Sequence, residues 1–116
     1  MKRLLLLLIA LSLSAYTGGN ATVTTAGTPV QLSTSTTKAT VLTITAKSTN
    51  TGTIWIGGST VSAANKIGIP LGPPPAAGQP GGSITFNPAG NAAFYTLSEF
   101  YLDATVSGEG VSYAYK

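Results

Sequence analysis

The stretch Phe100-Tyr-Leu-Asp-Ala-Thr-Val-Ser-Gly-Glu-Gly-Val-Ser-Tyr-Ala-Tyr115 decides the fold class of this chain. Two alternating runs flank Ser107-Gly-Glu-Gly110, and that pattern predicts a β-hairpin. In the first run Phe100, Leu102, Ala104 and Val106 share one face, while Tyr101, Asp103 and Thr105 take the other. In the second, Val111, Tyr113 and Tyr115 alternate with Ser112 and Ala114. Each run has one face suited to burial, as in a rigid β-module.

Similar short runs recur at residues 21–25, 30–32, 40–46, 53–56, 67–71 and 83–86. Clusters of Gly, Pro, Asn, Ser and Thr separate them, for example Ala26-Gly-Thr-Pro29 and Ser48-Thr-Asn-Thr-Gly52. About seven or eight short strands, with turns about every 8 to 12 residues, predict an all-β fold, a single antiparallel β-sandwich or barrel. Its domain spans residues 22–116, behind an apolar N-terminal arm or leader at residues 1–21. The expected core is Leu42, Ile44, Ile54, Ile56, Ile84, Phe86, Phe100, Leu102, Ala104, Val106 and Val111. Helix is limited to single turns near residues 62–65 and 96–99. The proline-rich stretch at residues 69–82 reads as an exposed loop, because proline lacks the amide donor and fixes φ.

Charged residues make up 8% of the 116 residues, against about 25% in an ordinary soluble domain. Threonine, serine, glycine and alanine fill the polar and small positions, so the surface is one of hydroxyls. Charge repulsion then gives little protection against self-association, which suits a protein packed against neighbours. Lys2 and Arg3 lie in the leader. The body sets Lys38, Lys47, Lys66 and Lys116 against Glu99, Asp103 and Glu109 and is nearly neutral. Without a basic cluster interleaved with aromatics, no nucleic-acid partner is expected.

Lys2 and Arg3 precede Leu4-Leu-Leu-Leu-Leu-Ile-Ala-Leu-Ser-Leu13, which has the form of a secretory signal. The run is shorter than the about 20 apolar residues that a spanning helix needs. Cleavage would follow Ala15, Gly19 or Ala21. Retained instead, Leu4, Leu5, Leu6, Leu7, Leu8, Ile9, Leu11 and Leu13 form an arm that must be buried against another surface. A membrane is a partner only if the leader acts as a signal peptide.

The chain has no histidine and no cysteine, so the usual general base near neutral pH and the best nucleophile are missing. Glu99 and Asp103 are the only neighbouring carboxylates. On one strand they would lie about 13 Å apart, too far for a glycosidase pair, and read as two solvated charges. No catalytic residue, cofactor or metal site is expected. Trp55 lies opposite Ile54 and Ile56 by alternation and is either the cap of an open core edge or an interface anchor.

Taken in order, Thr28-Pro-Val-Gln-Leu32, Val41-Leu-Thr-Ile-Thr-Ala46, Asn50-Thr-Gly-Thr-Ile-Trp-Ile-Gly-Gly-Ser59, Ile69-Pro-Leu71, Gly82-Ser-Ile-Thr-Phe86 and the closing segment from Leu97 to Tyr113 carry a resemblance. Over about residues 22 to 115 the chain resembles small tailed-bacteriophage virion proteins of the head decoration or head fibre base type. The leader and the proline-rich insertion after Leu71 depart from that pattern. The resemblance implies a non-enzymatic virion protein, a homo-oligomer that binds the major capsid protein or other virion proteins. The leucine arm, Trp55 and Tyr101 are the candidate interface. The rival expectation is an exported bacterial surface or pilus-like β-module with a cleaved leader, secreted or held at the cell surface. A third is a carbohydrate-binding module with Trp55, Tyr95 and Tyr101 as a stacking platform.

Overall fold

The computed structural model of the chain describes residues 16–87 and 94–116. Strand-forming triplets such as Thr43-Ile-Thr45 and Ile54-Trp-Ile56 set the local structure, because branched and aromatic side chains favour the pleated backbone. Ten antiparallel strands lie among these residues. They are β1 (Thr17–Thr22), β2 (Val30–Gln31), β3 (Lys38–Ala39), β4 (Leu42–Ala46), β5 (Ile54–Gly57), β6 (Ile69–Leu71), β7 (Ser83–Phe86), β8 (Tyr95–Thr96), β9 (Tyr101–Ala104) and β10 (Gly110–Tyr115). One four-stranded sheet has the order β1-β10-β4-β7, a second has β2-β9-β5-β6, and β3 pairs with β8 alone.

Alternation along each strand sends one side chain in two to a shared interior. β4 buries Leu42, Ile44 and Ala46, and β5 buries Ile54 and Ile56. These join Val111 from the first sheet, Leu71 and Leu102 from the second, and Val23, Leu32, Ala39 and Leu97 in one apolar cluster. Burying each such large side chain contributes about 1.5 to 3 kcal/mol, the dominant favourable term for a domain this small.

The all-β antiparallel class expected from the alternation is present, but its details differ. Ten strands in three sheets replace a single unit of seven or eight, and no sheet closes into a barrel. The extra pair, β3 with β8, is too short to leave a period in the sequence. The first strand begins at Thr17, and its register with β10 runs from Thr17↔Tyr115 to Thr22↔Gly110. Residues 17–21, expected in the leader, are thus part of the sheet.

The expected hairpin is not formed. β9 lies between β2 and β5, whereas β10 lies between β1 and β4, so residues 105–109 carry the chain from one sheet to the other. Period-two alternation assigns faces and is silent on partners, and an arch between sheets buries the same face as a hairpin. The arch is held by its neighbours: Gly108 N–H donates to the Val23 carbonyl at 2.8 Å, and Val23 N–H donates to the Glu109 carbonyl at 2.8 Å. Gly108 has φ +86°, a conformation that glycine adopts without strain. Val106, expected in the core, lies on this arch and is 40% exposed. Ile84, Phe86 and Phe100 are only partly buried and pack against the cluster.

No helical turn forms at 62–65. Ser62 and Ile67 bond each other's backbone at 3.1 and 2.9 Å, with Lys66 at φ 57° and Gly68 at φ 125° turning the chain back. The turn expected near residues 96–99 is present as a 3-10 turn at Leu97–Glu99. Within the proline-rich stretch, Pro70 lies in β6, an edge strand, where its missing donor is tolerated.

Candidate interface

Trp55 and Tyr101 stand on the outer face of the second sheet, because Ile54 and Ile56 on β5 and Leu102 and Ala104 on β9 point inward. Trp55 is opposite Asp103 on one side and Pro70 on the other, and Tyr101 is opposite Gly57 and Gln31. Both aromatic residues are half-buried. The leucine arm named with them, Leu4 to Leu8, Ile9, Leu11 and Leu13, lies outside the described residues.

Asp103 shares that face yet is only 1% exposed, and the reading of it as a solvated charge fails. Its Oδ1 accepts from Gly27 N–H at 2.9 Å and Ala104 N–H at 2.8 Å, and its Oδ2 accepts from Ala63 N–H at 2.8 Å. A buried carboxylate is tolerated where backbone donors replace its lost water. By gripping Gly27 and Ala63, it pins two loops over β9. Those loops half-cover the outer face of the second sheet and leave a shallow dent of about 280 Å³ between Ala26, Gly27, Ala63 and Thr105. Glu99 ends the 3-10 turn and is exposed, so the two carboxylates do not share a strand.

A second acidic staple joins the arch to the loop before β5. The Glu109 carboxylate accepts from Thr51 N–H, from the Thr51 hydroxyl at 3.0 Å and from Gly52 N–H at 2.8 Å. Partial burial pushes this carboxyl up, and the three hydrogen bonds together outweigh that effect and hold it below its ordinary value. Beside it, buried Asn50 donates from Nδ2 to the Gly110 carbonyl at 2.7 Å and accepts from Gly110 N–H at 3.3 Å. A Cβ on Gly110 would overlap the Ala21 carbonyl oxygen, so the close approach of β1 to β10 requires glycine here.

The outer face of the first sheet is different in kind. Across its four strands run the rows Asn20, Ser112, Thr45, Ser83 and Gly18, Ala114, Thr43, Thr85. Thr43 and Thr85 join hydroxyls at 2.9 Å, and Thr45 and Ser83 at 3.0 Å. The result is an uncharged surface of small, mostly polar groups. At one end Lys47 and the loop around Gly78 and Pro80 border an open groove of about 450 Å³.

The aromatic platform expected of a carbohydrate-binding module is not assembled. Tyr95 belongs to β8 and packs edge-on against Phe86 and Phe100, with centroids at 5.6 and 5.8 Å, away from the face that carries Trp55 and Tyr101. Sequence reasoning missed both acidic staples. Their only signal is the rarity of carboxylates in a body that nevertheless places one on a strand and one in a turn. Comparisons of the chain with family models, with curated proteins and with solved structures give no match.

Proposed function

We propose that the chain is a non-enzymatic structural protein of a tailed-phage virion, a capsid decoration or head-fibre-type protein that binds the particle surface. The observation that carries this reading is the ordered set of segments from Thr28 to Tyr113, which resembles that family piece by piece. The two four-stranded sheets around one core are read as the sandwich of such proteins, with β3 and β8 added at its margin. The uncharged hydroxyl face of the first sheet and the half-covered Trp55 face of the second suit docking on a repetitive protein surface. Many modest contacts, multiplied over a lattice, supply the holding strength.

Mass spectrometry of purified particles tests the proposal. The protein is expected there, with an intact mass that includes the leader. Absence from particles, with a secreted or surface-held form beginning after Ala15, supports the exported-module reading. That rival is kept because the leader has signal-peptide form and β1 begins only at Thr17.

A further inference from the structure

The four margins of the two larger sheets are not protected alike. In the second sheet, β2 has two residues and β6 carries Pro70, two ordinary ways of blunting an edge. In the first sheet, β1 has six residues, Thr17-Gly-Gly-Asn-Ala-Thr22, with neither charge nor proline. The backbone register shows which of its peptide groups are spare. Gly110 directs its carbonyl to Lys47 N–H at 3.1 Å and both its polar groups to the Asn50 side chain, so they face away from β1. Its opposite number, Thr22, is therefore in a pair without hydrogen bonds, and Val23 next to it bonds inward to residues 108 and 109. Strand alternation then turns the N–H and C=O of Gly18, Asn20 and Thr22 to the outer margin, which no other strand among the described residues covers. All three residues are exposed. The same reasoning at β7 leaves only Ser83 and Thr85 outward, since Ala46 bonds to Gly81 and Gly82 and its alternates face that strand.

We infer that β1 is a homodimer edge: two copies of the chain pair β1 with β1 antiparallel, about a two-fold axis at Asn20, and merge their first sheets into one. This inference rests on the fold and is independent of the virion reading. The occupant is a second copy because the spare groups are self-complementary. With Asn20 opposite its own mate, Gly18 meets Thr22, and each pair exchanges N–H···O=C bonds on both sides. Asn20 points to the outer face, where its amide offers both donor and acceptor to its mate. Gly19 and Ala21 put only small groups on the inner side, and β1 carries no charge to repel its copy. The pairing is isologous and closed, so it yields dimers, not fibres.

The chain has no cysteine, which makes cross-linking the direct test. Full-length Asn20→Cys should form a disulfide dimer on mild oxidation, since paired Cα atoms about 5.5 Å apart lie within disulfide range. Thr43→Cys, on the same face but two strands inward, should not, its mates being about 24 Å apart at the strand spacing. In sedimentation equilibrium, Asn20→Lys and Asn20→Asp should each weaken the dimer roughly tenfold or more, and mixing the two should restore it. Equal cross-linking at positions 20 and 43 would overturn the inference. So would a monomeric wild type, open-ended polymers, or an oligomer that persists unchanged in Asn20→Lys, the result expected if the leader drives association.

Discussion

Asp103 is a charged residue on the polar side of a strand, and the fold draws it inside because two loops close over it. Asp103→Ala removes the acceptor for Gly27, Ala63 and Ala104 N–H at once. An unsatisfied buried donor costs about 1 to 3 kcal/mol, so a loss of at least about 2 kcal/mol is expected in chemical denaturation. Amide exchange at Gly27 and Ala63 should accelerate as the loops release. An unchanged midpoint with unchanged exchange would contradict the staple. Glu109 makes a prediction in pH. Its folded-state value lies below the ordinary 4.5, so it contributes stability above that pH and loses it as pH falls through the lower, folded value. The melting temperature of Glu109→Gln should thus fall below that of the wild type near neutrality, and the gap should close in acid. A gap that widens in acid would reverse the assigned sign. Neither role was legible in the sequence, since the loops these carboxylates hold are remote: Gly27 and Ala63 lie 76 and 40 positions from Asp103, and Thr51 and Gly52 lie 58 and 57 from Glu109.

At the scale of elements, alternation located the inward faces of β4, β5 and β9 correctly: Leu42, Ile44, Ile54, Ile56, Leu102 and Ala104 are all buried. It failed where a strand's identity depends on its neighbour. The turn after β9 leads to the opposite sheet, and no local pattern distinguishes that arch from a hairpin. Short pieces such as β3 and β8 form because Leu97 N–H bonds the Thr37 carbonyl at 3.1 Å and because Ala39 and Leu97 are buried, which are tertiary causes. The proline-rich loop is a separable element. Its base is fixed where Gly82 N–H bonds the Gly72 carbonyl at 2.9 Å and where Gly81 and Gly82 flank Ala46. Residues 75–80 are exposed. Closure entropy changes by only about 0.6 kcal/mol for each doubling of loop length. Deletion of Pro73 to Pro80, bridged by a short glycine-containing turn, should therefore leave the circular dichroism spectrum intact and shift the midpoint little. Unfolding would show that the loop packs as structure, while loss of particle binding alone would identify it as a contact.

For the whole molecule, few charges, a hydroxyl-rich face and an aromatic-bearing second face are consistent with the proposed lattice-binding role, which the ordered segments from Thr28 to Tyr113 carry. The candidate site was legible only as residues: Trp55 and Tyr101 do share a face, but the loops that half-cover it were not foreseen. In the proposed virion role, the leucine run would add a second means of attachment. Burying each leucine contributes about 1.5 to 3 kcal/mol, enough in sum to hold an arm on a neighbouring subunit. Changing Leu6 and Leu8 to aspartate should reduce incorporation into particles while the β-domain stays folded, and normal incorporation would sink the arm's role. Binding of the purified protein to virion shells assembled without it, measured by co-sedimentation over a range of concentrations, is the decisive measurement for the virion role. Saturable binding at many equivalent sites per particle is expected. Absence of binding to intact shells, under conditions where the protein is folded, would contradict it.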